Sequence, residues 1–234
     1  MGPPALSGSA ALINFVDIGA EHEVDFNDWY TFEHLPERVD VPGFLRGRRF
    51  VATSAVAPPL GRYLTMYETR DLGVLTSAPY LARLNEPTPW TVRTVGRLSH
   101  FVRLACRVTV SRGHGTAGNV ATALFEPPTD GGDAIREWIV TAVLDGLVAE
   151  HDVVAAHLME SDEEVARAKD ATAEGAASTE RTSTQWLLVA EASSRARVDA
   201  LQERLSGPGG LSSQGVAGWS FATYSLMVDL RSTD

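Results

Sequence analysis

Only one of the 234 residues, Cys106, is a cysteine, so no disulfide can form within the chain. It lies in an apolar run, residues 101–110, and reads as a small buried hydrophobe. No stretch approaches the roughly 18 consecutive apolar residues of a membrane span. The start, Met1-Gly2-Pro3-Pro4-Ala5-Leu6, lacks the basic region and apolar core of a signal peptide, so a cytoplasmic protein is expected. Positive charge is scarce: 20 Lys and Arg against 30 Asp and Glu leave a formal charge of −10. That balance opposes the phosphate contacts nucleic acid binding draws on, so neither nucleic acid nor a membrane is an expected partner. No H-x-x-x-H or C-x-x-C pair marks a zinc site. The glycines at 113–115 and 207–210 lack the setting and lysine of a phosphate-binding loop, and no G-x-S-x-G elbow is present.

What is present is a copy of the chain within itself. Asp28-Trp29-Tyr30-Thr31-Phe32-Glu33-His34-Leu35-Pro36 returns, eroded, as Glu137-Trp138-Ile139-Val140-Thr141-Ala142-Val143-Leu144-Asp145. At the same offset Phe44-Leu45-Arg46-Gly47-Arg48 falls opposite Val153-Val154-Ala155-Ala156-His157. Tyr63-Leu64-Thr65-Met66-Tyr67-Glu68 matches Trp186-Leu187-Leu188-Val189-Ala190-Glu191 at a longer offset. The difference is one insertion, residues 161–183, rich in Ala, Glu, Ser and Thr, which reads as a mobile loop or a short solvated helix.

In the first copy, residues 11–18 are β-branched and aromatic and read as a strand. Asp25 offers an N-cap, with Asp28 three residues on, for a helix over 26–39 whose last turn Pro36 should bend. Val41-Pro42-Gly43 is a turn, and the strand over 44–52 that follows should place Phe44, Arg46, Arg48 and Phe50 on one face. A third strand over 62–68 carries Tyr63, Thr65 and Tyr67 on a common face. A helical region over 77–97, interrupted by Pro87 and Pro89, precedes a fourth strand over 99–110. The second copy repeats the order, with strands at 120–125, 153–160, 184–192 and 219–230 and helices at 133–148 and 194–205.

The organisation expected is a first ferredoxin-like repeat over 1–110, a linker over 111–118 and a diverged second repeat over 119–234. A βαββαβ unit is a four-stranded antiparallel sheet with both helices on one face. Its bare face must be buried, and a second copy supplies the cover. The fold class is therefore α+β, two tandem repeats closing into one barrel. Both sheets being satisfied within the chain, a monomer and a homodimer are equally open.

The string from Trp29 to Arg38, followed by Val41-Pro42-Gly43-Phe44 and a basic strand, resembles the dimeric α+β-barrel superfamily, and within it the EthD-like members. The resemblance covers about residues 12–110 well and 119–230 weakly. It implies a barrel whose two ferredoxin-like units are here fused in one chain. The superfamily spans cofactor-free monooxygenases, polyketide cyclases, muconolactone-type isomerases and haem-dependent enzymes, so fold membership selects no reaction.

The copies differ where chemistry could lie. His34 is replaced by Val143, Tyr30 by Ile139, Arg46 by Ala155 and Tyr67 by Ala190, so any site belongs to the first half. Tyr30, His34 and Arg38 recur at i, i+4 and i+8 on one helix face. If that face meets the arginine face of the next strand, the result is a pocket for a small hydrophobic or anionic ligand. In that pocket His34 is the acid or base. Arg46 or Arg48 would hold an enolate or carboxylate, and Tyr30, Tyr63 or Tyr67 would orient the ligand. The plain alternatives are that His34 caps a backbone carbonyl at the helix end, that the arginines form a solvated face, and that His100 merely ends a strand. No cofactor is expected: nothing marks His34 as a haem ligand, and the second half has no matching histidine. Three functions stand: a cofactor-independent enzyme for a small aromatic, polyketide-like or lactone substrate; a non-catalytic small-molecule binder; and a structural or interaction protein with a filled barrel.

Overall fold

The computed structural model describes residues 5–127, 130–177, 184–216 and 218–233. Its strands are β1 (Ala10–Ile18), β2 (Phe44–Ala52), β3 (Tyr63–Thr69), β4 (Leu98–Gly113), β5 (Asn119–Phe125), β6 (Val153–Ser161), β7 (Trp186–Ala192) and β8 (Ser220–Arg231). They close into an antiparallel barrel in the order β1-β3-β2-β8-β5-β7-β6-β4. Closure depends on the two long strands. β4 pairs first with β1 and then, from Cys106 onward, with β6. β8 pairs with β5 and then, from Tyr224 onward, with β2. Each begins in its own repeat and ends in the other's sheet, and three residues of the expected linker, Ser111, Arg112 and Gly113, belong to β4.

In the first repeat α1 (Glu23–Trp29), a π-helical turn (Tyr30–His34) and α2 (Leu35–Val39) run as one helix, with α3 (Ala78–Asn85) and α4 (Pro89–Val95) further on. The second repeat has α5 (Gly132–Trp138), a π turn (Ile139–Leu144), α6 (Asp145–Val148) and, after the insertion, α9 (Arg195–Ser206). Asp25 is not the cap expected of it. The chain enters α1 through a 3-10 turn (Ala20–His22), so Asp25 lies inside the helix and accepts from the Trp90 indole N–H at 3.0 Å. The π turn ends two residues before Pro36, yet it recurs where the second copy has Asp145 instead. The wide turn therefore belongs to the repeat and not to the proline. Its effect is geometric: residues four apart on a regular helix drift by about 40° around the axis, and the wider turn takes up that drift.

Buried side chains form three groups. One fills the barrel, with Phe15, Phe50, Leu64, Met66, Cys106, Leu187 and Tyr224. The others lie outside it, between each sheet and its own helices: Phe26, Trp29, Leu35, Phe44, Tyr67 and Tyr80 in the first repeat, and Ile139, Leu144, Leu147 and Val198 in the second. Leu35 and Leu144 are both wholly buried, each worth about 1.5–3 kcal/mol. Trp29 is buried as well, whereas Trp138 is only partly so.

The insertion is not a solvated appendage. It forms α7 (Glu163–Arg167) and α8 (Ala173–Ala176), with Ala166, Lys169, Thr172 and Glu174 buried. α7 rests on β4 and on the turn Leu72–Thr76, and α8 on α3 and α4, so this segment of the second repeat joins the helical layer of the first. Residues 178–183 lie outside the described part. No helix among the described residues is long and apolar enough to cross a membrane.

Candidate functional site

The expected face of β2 does not exist as one face. A β-bulge between Phe44 and Arg46 sets two residues against one on β3 and reverses the alternation. Phe44 turns toward the helices, while Phe50 enters the barrel. Arg46 and Arg48 point inward with Phe50, and they do not join His34. Arg46 Nε donates to Asp229 Oδ1 at 2.7 Å. Arg48 donates to both oxygens of Glu191 at 2.8 and 2.9 Å and lies 3.3 Å from Glu68. They are buried in an ion network, not spread over a solvated surface. His100, the third residue of β4, is bonded to the Pro59 carbonyl at 2.9 Å.

The cation beneath the helix is Arg49, from the other parity of β2. Gly47, two residues before it, lets the helix settle: a Cβ there would stand 2.7 Å from Leu35 Cδ1 and 3.0 Å from Val39 Cγ2. Arg49 lies among three rings, its guanidinium carbon 4.5 Å from the Tyr30 centroid and 4.9 Å from those of Phe26 and Tyr63. Nη2 donates to Asn27 Oδ1 at 2.6 Å, but Nε and Nη1 have no partner. Among the described residues no carboxylate pairs with Arg49. Burial draws its pKa down, and the ring faces supply part of the missing compensation. Tyr63 stands at the rim of this group, donating to Glu23 and accepting from Asn27.

Tyr30, His34 and Arg38 do line one buried face toward the sheet. The His34 ring lies 4.3 Å from Trp29 and 4.9 Å from Tyr30, centroid to centroid. Among the described residues it caps no backbone carbonyl, and Nδ1 has no hydrogen-bond partner. Burial, and then the charge of Arg38, hold its pKa well below 6.5 despite the opposing pull of Glu174, so the imidazole is neutral at pH 7. Tyr67 rises from β3 beside Tyr30, without the geometry of a hydrogen bond on its hydroxyl. Burial and its proximity to Tyr30 keep that hydroxyl protonated.

The group is closed by the insertion. Glu174 pairs with Arg38 and lies 3.5 Å from Lys169 Nζ. Burial alone would raise the pKa of Glu174, but Arg38 and Lys169 bring it to about 2. Arg103 donates to the Ala166 carbonyl at 2.8 Å. Of the residues expected at the site, Tyr30, His34 and Tyr67 come together, Tyr63 flanks them, and Arg46 and Arg48 lie elsewhere. Arg49, Lys169 and Glu174 are the additions. Lys169 is the chain's only lysine, a scarcity that could have drawn notice to it. Four described clefts lie at the surface, one of about 490 Å³ beside Asp17 and Arg62, and none of the four is lined by His34, Tyr30 or Tyr67. Among the described residues no group of three or more His, Cys, Asp or Glu side chains is arranged to hold a metal ion.

No family model matches the sequence, and no curated protein matches it. Solved structures do match the whole fold. An anthrone oxidase-like protein superposes with a TM-score of 0.64 at 11% identity, over 99% of this chain and 97% of that one. A candidate monooxygenase from Fusobacterium nucleatum gives 0.56 at 8% identity, over 97% and 96%. A haem-binding protein from Thermus thermophilus gives 0.50 at 11%, over 97% and 96%. The class is thereby defined: the chain has the dimeric α+β-barrel fold, built from two ferredoxin-like repeats in a single polypeptide. At such identities the likeness extends to the fold alone.

Proposed function

We propose that the chain is a cofactor-independent, EthD-like enzyme that takes a proton from a small aromatic, polyketide-like or lactone substrate, with His34 as the general base. The observation that carries this reading is the uncommitted His34 Nδ1: a neutral, buried ring nitrogen within a group of phenols and guanidinium donors. A base of this kind contributes about 10²–10⁴-fold to a proton transfer. Arg38 and Arg49 retain unpaired N–H groups for the enolate or phenolate that results, and Tyr30 and Tyr67 offer ring faces and hydroxyls to orient it. The structural neighbours described as oxidase-like and monooxygenase support an active role for such a group without specifying the reaction. The barrel interior is packed with apolar side chains, and the proposed site lies in the layer between helix and sheet.

The test is solvent deuterium exchange into a panel of enolisable and phenolic compounds, with wild-type protein and His34→Gln. Exchange that depends on His34 is the expected result. Binding of panel members with no exchange identifies a non-catalytic binder, and absence of both leaves a structural protein.

A further inference from the structure

The donors around His34 outnumber the acceptors that reach them. Arg38 Nη1, Arg49 Nε and Nη1 and the Tyr67 hydroxyl are all buried without partners. An unpaired buried donor costs stability, and four such atoms sit in one layer. The carboxylate that does enter comes from outside the repeat. Glu174 belongs to the insertion, which the first copy lacks, and reaches Arg38 from the far half of the chain.

We propose that Glu174 holds the place of a ligand carboxylate, and that residues 162–177 form a strap which an aromatic carboxylate or enolate lifts as it binds to Arg38. This deepens the acid–base reading given above and rests on it for the role of His34. The lining fixes the ligand class. Tyr30, Tyr67, Tyr80 and Phe44 present rings, with Phe44 5.8 Å from Tyr67 and 5.3 Å from Tyr80. Arg38 presents a fork that matches a carboxylate. The strap itself is short-jointed: α7 and α8 are helices of 5 and 4 residues. Beside Val165 and Ala166, which pack in the apolar layer, its anchors are polar: the Glu174 pair with Arg38, Arg103 on the Ala166 carbonyl, and Asn85 Oδ1 on the Ala173 N–H at 3.1 Å. Polar anchors of this type can be exchanged for those of an anion.

Lys169 makes the strap readable. A lysine-specific endoprotease can cut this chain only after Lys169, whose side chain is 3% exposed while Glu174 is in place. The probes are 2-naphthoate and, as its uncharged counterpart, 2-naphthamide. With full-length wild-type protein, 2-naphthoate is expected to speed cleavage about tenfold or more while 2-naphthamide does not. Glu174→Gln should bind 2-naphthoate about tenfold or more tightly, since the internal competitor has lost its charge. Equal cleavage with both probes, or a Glu174→Gln protein that is folded by circular dichroism and binds 2-naphthoate no better, overturns the proposal. Should that variant not fold, the two wild-type arms decide. His34→Gln separates the two readings: carboxylate-induced cleavage that survives in it, without deuterium exchange in any variant, retains the strap and removes the base. Exchange without induced cleavage does the reverse.

Discussion

Arg48 of the first repeat and Glu191 of the second meet inside the barrel, guanidinium to carboxylate, through two hydrogen bonds of 2.8 and 2.9 Å. The relation is one half of a pseudo-symmetric arrangement, since the repeat carries Arg48 onto His157 and Glu68 onto Glu191. His157 lies 3.6 Å from Glu191. The segment before β1 donates the Ser7 N–H to Glu68 at 2.7 Å, and the segment before β5 donates the Ala117 N–H to Glu191 at 2.9 Å.

Removing one partner strands the other. Arg48→Met is expected to cost about 3–5 kcal/mol, because Glu191 loses its bidentate partner and Glu68 keeps only the Arg46 cation, at 3.6 Å. Arg48→Met with Glu191→Leu should recover much of that loss. Urea unfolding of the two single variants and the double variant closes the cycle. A double variant as unstable as the sum of the singles would show that the pair is not coupled.

Acid should act through Glu191 and Glu174. Burial would raise both, but His157 and Arg48 bring Glu191 to about 2, and Arg38 and Lys169 do the same for Glu174. A carboxylate depressed on folding stabilises fully above its unfolded value, near 4.3, and loses that contribution as pH falls toward 2. Unfolding midpoints should therefore drop steeply from pH 5 to pH 2.5. Glu174→Gln, already without its charge, should show a shallower slope over the same interval, and a parallel profile would contradict the ion pair with Arg38.

His34 acts in a higher window. Its folded-state pKa is lowered, so below about pH 6.5 the unfolded chain takes up a proton that the folded one refuses. Stability then rises with pH up to about 6.5 and levels off. His34→Gln should flatten the stretch from pH 5 to 6.5 while leaving the acid limb intact, which thermal unfolding at half-unit steps can resolve.

Gly47→Ala should cost about 1–3 kcal/mol by overpacking. The new Cβ meets Leu35 and Val39 and comes within 3.2 Å of Tyr67 Cδ1. The Leu35 and Val39 side chains, or the helix that carries them and His34, must shift to admit it. A reduced melting temperature together with faster amide exchange over residues 30–39 is the expected pair of observations.

The fold was legible because its signals are local. Periodicity and turn residues mark each strand, the bounds of β2 agree to the residue, and Pro87 and Pro89 part α3 from α4 as expected. The site was legible only where it lies on one helix face, at Tyr30, His34 and Arg38. Strand parity beyond Phe44 was not, because a bulge depends on the register with β3 and leaves no mark in composition. Glu174 was hidden for a related reason: a stretch of Ala, Glu, Ser and Thr looks solvated until one knows that Arg38 lies within reach. The π turn was hidden too, since Pro36 suggested a bend and Asp145 suggested nothing.

The crossing of β4 and β8 between the sheets bears on how such a chain can change over generations. In a pair of identical subunits every substitution is written twice, and a segment long enough to cover one centre would cover both. A continuous polypeptide is released from that rule. One copy can keep its imidazole and phenols while the other trades them for Val143, Ile139 and Ala190, then spends its freedom on reaching over its neighbour. Asymmetry of that kind is available only to a barrel whose halves are inherited together.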